Sequence, residues 1–186
     1  FGLRDAMLKG LFLDRDGTIN RDTGYLHSPD KTVILPGVVE MIQLANFVGA
    51  VVIVVTNQSG ISRGYFSEGE FIRFNLWFVE YLRTFGAKVD ATYYCPHQAE
   101  PNSKLARTLC RKPSPWMIKR AAREHKIDLR TSVMVGDSLT DIVSARIAGV
   151  GLSLLVNSPL RLSLGNNRVA IQRIHSFWEQ ELASRP

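Results

Sequence analysis

Short apolar runs rich in β-branched residues alternate with helix-patterned stretches across short polar connections, which predicts an α/β fold with a Rossmann-like, doubly wound parallel sheet. Three observations carry this expectation. Val51 to Val55 is an unbroken β-branched run of the kind that a strand buried on both faces requires. Ser67 followed by Glu70 forms a capping box ahead of an apolar helical face. The apolar runs also end in residues with useful oxygens, Asp14, Thr56 and Asp137, where parallel sheets place their ligand sites. A chain of 186 residues fits one domain, 1–186.

Leu11 to Asp14 reads as a strand that runs into the polar turn Asp14-Arg15-Asp16-Gly17. Pro36-Gly37 opens a helix with apolar residues at Val38, Met41, Ile42 and Ala45, and Gly49 stops it. Val51 to Val55 is the second strand, the Ser67-capped helix runs to Gly86, and Val89 to Tyr94 is the third strand. Pro96 to Pro113 is a long polar loop, a length that marks function or disorder. Ser114 as cap and Pro115 as first helical residue predict a helix to about Lys126. Ser132 to Val135 and Gly151 to Val156 are further strands that flank a helix over 139–148, Val169 to Ile171 is read as a sixth strand, and Phe177 to Leu182 as a closing helix.

The chain carries 23 Lys and Arg against 17 Asp and Glu, a net charge of +6 that favours anionic partners. The excess is local. Pro101 to Arg123 contains no acid and seven cations, Lys104, Arg107, Arg111, Lys112, Lys119, Arg120 and Arg123. The apolar runs 50–55 and 149–156 fall far short of the roughly 20 residues of a membrane span. With no signal-peptide core at the N-terminus, a cytoplasmic location is expected. Two cysteines, Cys95 and Cys110, do not suggest a secreted disulfide scaffold; metal binding or plain packing remain as their roles.

Asp14 and Asp16 lie two apart at a strand exit, so alternation lets both project toward one pocket, where their mutual repulsion invites a divalent cation. Asp137, from another strand end, adds the oxygen that Mg²⁺ favours. The run Asp14-Arg15-Asp16-Gly17-Thr18 resembles the D-x-D-G-T motif of the haloacid dehalogenase superfamily of phosphatases. Val54-Val55-Thr56-Asn57, Arg111-Lys112-Pro113 and Val135-Gly136-Asp137-Ser138-Leu139-Thr140-Asp141 resemble its second, third and fourth motifs, in order.

The resemblance implies an aspartyl-phosphate mechanism on a haloacid dehalogenase fold without a large cap domain. It makes Asp14 the nucleophile, Asp16 the general acid and base, Thr56 and Lys112 the phosphoryl contacts with Arg111 beside them, and Asp14, the Asp16 carbonyl and Asp137 the Mg²⁺ ligands. Asp141 is implied to orient Lys112 or a metal-bound water. DRDGTIN, Gly24-Tyr25, TNQSG, ISRGYF, YYCPH and CRKP are similar to the small phosphatases of heptose bisphosphate and histidinol phosphate. That similarity covers residues 10–156 and implies a substrate pocket of Asp22, Thr23, Gly24, Tyr25, Thr56, Asn57, Gln58, Ser59, Arg111 and Lys112. It implies a phosphorylated sugar as substrate. A monomer is expected, with no membrane partner; the basic 101–123 segment suits a nucleic-acid-binding module instead, but its only ring is Trp116, so no nucleic-acid partner is expected.

Such enzymes carry a structural zinc loop, C-x-H then C-x-C-R-K-P. Here Cys95, His97 and Cys110 match three ligands of a Zn²⁺ site while Thr108 stands at the fourth. Ser138 replaces a common Lys, and Trp116 a common Gly, beside the pocket. Arg63 is either a contact to a distal phosphate or solvated, His27 is a possible substrate-loop contact, and Trp77 and Trp178 are read as helix packing.

Overall fold

The computed structural model describes residues 7–98, 110–157 and 166–183. Among the described residues, five strands form one parallel sheet in the order β3-β2-β1-β4-β5. The elements run in chain order β1 (Gly10–Leu13), α1 (Val38–Phe47), β2 (Val51–Asn57), α2 (Glu68–Thr84), β3 (Ala91–Cys95), α3 (Trp116–Glu124), β4 (Val133–Gly136), α4 (Leu139–Ala148), β5 (Leu152–Leu155) and α5 (Asn167–Ala183).

Side-chain alternation along the strands builds two cores. Leu11, Leu13, Val52, Val54, Val133, Val135 and Leu154 point to one face and pack with Met41 and Ile42 of α1, Phe74 and Phe78 of α2, and Ile174 and Trp178 of α5. Phe12, Ile53, Val55 and Met134 point to the other and pack with Met117, Ile118 and Ala121 of α3 and Ala145 of α4. Strands apolar on both faces, as read from Val51 to Val55, are thereby covered by helices on both.

From β1 the chain winds outward through β2 to β3, then crosses back to place β4 on the other side of β1. The order reverses beside β1, so the carboxyl ends of β2, β1 and β4 open onto one crevice. Asp14 follows β1 and Asp137 follows β4, while Thr56 is the last residue but one of β2; all three lie at this switch point.

The Ser67 box is present, with Ser67 Oγ accepting from the Glu70 amide at 3.2 Å and the Ser67 amide donating to Glu70 at 2.7 Å. Two expectations are corrected. α3 starts one residue later than expected, at Trp116: the Pro115 carbonyl takes the first helical bond, from the Lys119 amide at 2.9 Å, so Pro115 stands at the cap position, and Ser114 Oγ accepts the Trp116 amide at 3.3 Å from the position before it. Val169 to Ile171 is no strand, and Phe177 lies within the same helix, α5. Three apolar residues in a row conceal a helical period that shows once Ala170, Ile174 and Trp178, four apart and all buried, are taken together.

Trp178 donates its indole N–H to the Thr131 carbonyl at 3.0 Å and fills the junction of α5 with the sheet. Trp178→Ala is expected to lower unfolding free energy by about 3–5 kcal/mol, read from urea denaturation.

Candidate active site

The turn after β1 sets the geometry. Arg15 offers its carbonyl to the amides of Thr18, Ile19 and Asn20, and the Gly17 amide donates to the Asn20 carbonyl at 2.8 Å, which coils Asp14 to Asn20 into a tight loop. Gly17 has φ +84°, and a Cβ there would lie 2.1 Å from Asp137 Oδ2. Only glycine lets the β1 turn come this close to the acid from β4.

Asp14, Asp137 and Asp141 each present a carboxylate oxygen within 4.8 Å of the others. At an effective dielectric of about 20, each pair of like charges at that spacing repels by on the order of 3 kcal/mol. One ammonium answers them. Lys112, buried, places Nζ 2.6 Å from Asp14 Oδ1, 2.6 Å from Asp141 Oδ1 and 2.8 Å from the Val55 carbonyl. Burial alone would push the Lys112 amine down, but the Asp14 and Asp141 carboxylates hold it well above its ordinary value.

A single positive charge cannot neutralise three carboxylates. Burial, joined by the Asp141 and Asp137 charges, pushes Asp14 up against the pull of Lys112. Burial and Asp141 push Asp137 up to about 6. The donor set of carboxylate oxygens with surplus negative charge is what a hard divalent cation requires.

Lys112 is delivered by its backbone. Its amide donates to Asn57 Oδ1 at 3.0 Å and its carbonyl accepts from Asn57 Nδ2 at 3.3 Å, so the residue after Thr56 holds the third motif against the second. Asp141 is held by the start of α4, where its Oδ2 accepts the Ser138 amide and hydroxyl, each at 3.0 Å. Asp141 therefore both orients Lys112, as expected, and brings its carboxylate into the acidic cluster itself.

Asp16 lies apart from the cluster. Its oxygens accept from Arg15, from Asn20 Nδ2 at 3.0 Å and from Gln58 Nε2 at 3.0 Å, and Gln58 also donates to Thr56 Oγ1 at 2.9 Å. A cleft of about 330 Å³ opens over it, lined by Asp16, Asp22, Gly24, Tyr25, Asn57, Gln58 and Ser59. Thr56 is buried beneath, while Thr23 is exposed. The Gly24 amide bonds Asp22 Oδ1 at 2.8 Å, and the Tyr25 ring meets Tyr65 at 4.5 Å between centroids. Those contacts shape the 22–27 loop as one wall of the cleft. Arg111 donates to the His97 carbonyl at 3.0 Å, and burial and the neighbouring Arg63 guanidinium hold it below its ordinary value, with Tyr25 also close by.

The expected zinc set is not assembled. Cys95 and Cys110 are joined by a disulfide with Cα atoms 5.4 Å apart, and neither sulfur is a thiolate, the form a zinc ligand takes. His97 is exposed, and Thr108 lies outside the described residues. The sequence reading missed Arg15 and Asn20 as partners of Asp16. Arg15 had a legible signal: between two outward-facing aspartates, alternation sends it inward.

Residues 109–158 match the HAD-hydrolase-like family. The chain is 41% identical over 153 residues to D-glycero-beta-D-manno-heptose-1,7-bisphosphate 7-phosphatase of Pasteurella multocida, covering 82% of this chain and 83% of that one. It belongs to this phosphatase family. It is also 43% identical over 152 residues to the Burkholderia mallei enzyme named for the alpha anomer, covering 80% and 79%. Among solved structures, D,D-heptose 1,7-bisphosphate phosphatase of B. bronchiseptica, complexed with magnesium and phosphate, superposes with a TM-score of 0.72 at 31% identity, covering 96% and 100%. An HAD-like phosphatase of Mesorhizobium loti gives 0.83 at 35%, covering 97% and 91%.

A carboxyl group held above its ordinary value binds its proton more tightly in the folded than in the unfolded chain. Its stabilising contribution is present at low pH and lost as pH rises from 3.8 toward about 6. Metal-free protein is thus expected to lose thermal stability across that window, and Mg²⁺ is expected to restore it near neutral pH. Melting curves with EDTA and with Mg²⁺ check this; a metal-free Tm that rises through the window would contradict it.

Proposed function

We propose that this chain removes the C7 phosphate of D-glycero-D-manno-heptose 1,7-bisphosphate through an aspartyl-phosphate intermediate. The observation that carries the phosphatase chemistry is Lys112 Nζ bound to Asp14 Oδ1 at 2.6 Å inside a buried acidic cluster. Asp14, the Asp16 carbonyl and Asp137 would hold Mg²⁺, which when bound supplies positive charge to the phosphoryl oxygens.

Asp14 Oδ attacks phosphorus in line; the O–P bond to the sugar breaks, and its oxygen takes a proton from Asp16. Water then attacks the aspartyl phosphate and gives a proton to Asp16, and the Asp14 O–P bond breaks to release orthophosphate. Lys112 and Thr56 stabilise the charge on the transferring group. Asp22, Gly24, Tyr25, Asn57, Gln58 and Ser59 surround the sugar. Thr23 remains a candidate for the loop's outer edge.

Arg111 and Arg63 support a second anionic group. Burial and the neighbouring Arg63 guanidinium hold Arg111 below its ordinary value, and two cations this close, with Tyr25 beside them, favour a ligand with a distal phosphate. Histidinol phosphate has no such group. The acidic cluster beside Lys112 also makes the chemistry one of small phosphorylated molecules, so neither nucleic acid nor membrane is assigned as a partner.

The finer assignments belong to the same reading. One phosphatase domain, 1–186, acts as a monomer in the cytoplasm, in the route to nucleotide-activated heptose for lipopolysaccharide. Among the described residues no helix is long and apolar enough to cross a membrane. With the Cys95–Cys110 pair reduced, Cys95, His97 and Cys110 offer Zn²⁺ three ligands. Metal analysis of protein purified with reductant and without chelator is expected to find stoichiometric zinc; its absence would withdraw the zinc site.

Phosphate release from heptose 1,7-bisphosphate, the heptose 1-phosphate product, histidinol phosphate and a generic sugar phosphate, with Mg²⁺ or EDTA, tests the function. Strong Mg²⁺-dependent turnover of the bisphosphate, abolished in Asp14→Asn, is expected. Lys112→Met is expected to lower kcat by roughly 10²–10³-fold. Arg111→Ala and Arg63→Ala should raise KM for the bisphosphate far more than for histidinol phosphate. Preferred turnover of histidinol phosphate would instead assign the runner-up activity.

A further inference from the structure

We infer that Arg15 is a positioning residue for proton transfer, a buried fork that holds the Asp16 carboxylate in the plane from which it serves the leaving oxygen. The inference rests on the acid role proposed above for Asp16. Arg15 is fully buried. Its Nε lies 3.1 and 3.2 Å from Asp16 Oδ1 and Oδ2, and its Nη2 lies 2.8 Å from Oδ2 and 2.9 Å from the Leu26 carbonyl. The guanidinium carbon sits 5.7 Å from the Phe71 ring centroid and 5.3 Å from that of Phe74. Nη1 has no hydrogen-bond partner among the described residues.

Stability alone does not explain this arrangement. Taking a guanidinium out of water costs several kcal/mol, and an apolar side chain of similar volume is commonly as stable or more so. The surroundings of residue 15 include two phenylalanines, which would accept methionine. What an apolar residue cannot do is grip a carboxylate by both oxygens, and lysine, a point charge, cannot fix its plane.

The grip falls on a carboxylate at the floor of the cleft, not on the acidic cluster. Asn20 and Gln58 complete it, and Gln58 joins it to Thr56. The same Nη2 that holds Asp16 also holds Leu26, so proton donor and substrate loop are fixed by one side chain. When Asp16 gives its proton to the departing alkoxide it becomes an anion, and Arg15 is the charge already in place to receive it. The cost of burying Arg15 is thus offset most fully in the state that follows proton transfer.

A leaving group that needs no proton separates this role from a structural one. The kcat/KM values on heptose bisphosphate and on para-nitrophenyl phosphate, whose phenolate leaves unprotonated, report the steps through formation of the aspartyl phosphate and leave out the hydrolysis in which Asp16 serves both substrates alike; they are compared for Asp16→Asn, Arg15→Met and Arg15→Lys. Asp16→Asn is expected to lower kcat/KM for the sugar phosphate by about 10²–10⁴-fold and for the aryl phosphate far less. Arg15→Met should follow the same asymmetry at about 10- to 100-fold on the sugar phosphate with KM little changed, and Arg15→Lys should fall between it and the natural enzyme. Equal losses on both substrates, or no loss, in the Arg15 variants would overturn the inference while leaving the acid role standing. No asymmetry in Asp16→Asn would overturn the acid role and the inference with it. Arg15→Lys keeps charge and volume in the cage and carries the test if the methionine variant does not fold.

Discussion

Two buried carboxylates and a half-buried third, gathered around one ammonium, form the constraint on which the rest of this structure depends. Asp14 comes from the end of β1 and Asp137 and Asp141 from the β4–α4 junction, and each is brought within reach of the others against its own repulsion. Lys112 relieves part of that repulsion, and the remaining negative charge is the driving force for binding a divalent cation. The cluster is costly to fold and useful to chemistry for the same reason. In a site shielded from water, the charges act on phosphorus with little screening.

The fold is arranged to bear that cost. Central β1 takes Asp14 to the switch point, β4 beside it brings Asp137, and the first turn of α4 fixes Asp141 by giving it the Ser138 amide and hydroxyl. Asn57 at the end of β2 captures both polar groups of the Lys112 backbone, so the ammonium is anchored before its side chain meets any acid. Gly17 and Gly136 stand where a Cβ would strike the carboxylates of Asp137 and Asp141. The apolar cores on the two faces hold the strand ends in register and leave the chemistry to the loops beyond them.

Much of this was legible in the residues. The strands, the alternation and the sites at strand ends follow from apolar runs that stop at Asp14, Asn57 and Asp137. The third motif was legible through the resemblance of Arg111-Lys112-Pro113, and the acid-free segment around it showed only that positive charge was concentrated there. Less legible were features set by tertiary partners. The four-residue spacing of Ala170, Ile174 and Trp178 carries the helical period, but the run Val169 to Ile171 masks it, and only α1 and the sheet that bury the three single them out. Asn20 looks like an ordinary turn residue, and its contact with Asp16 depends on the coil around the Arg15 carbonyl. The pairing of Cys95 with Cys110 was hidden because a zinc loop and a disulfide both require the two sulfurs to be close.

The most direct test of the central claim is rapid acid quench of turnover followed by mass spectrometry of the peptide that contains Asp14. With Mg²⁺ and heptose bisphosphate, the account predicts a hydroxylamine-sensitive phosphoryl group on Asp14, formed and lost within the catalytic cycle and absent with EDTA. Turnover at full rate with no phosphoryl group on Asp14, or with the group on another residue, would contradict it.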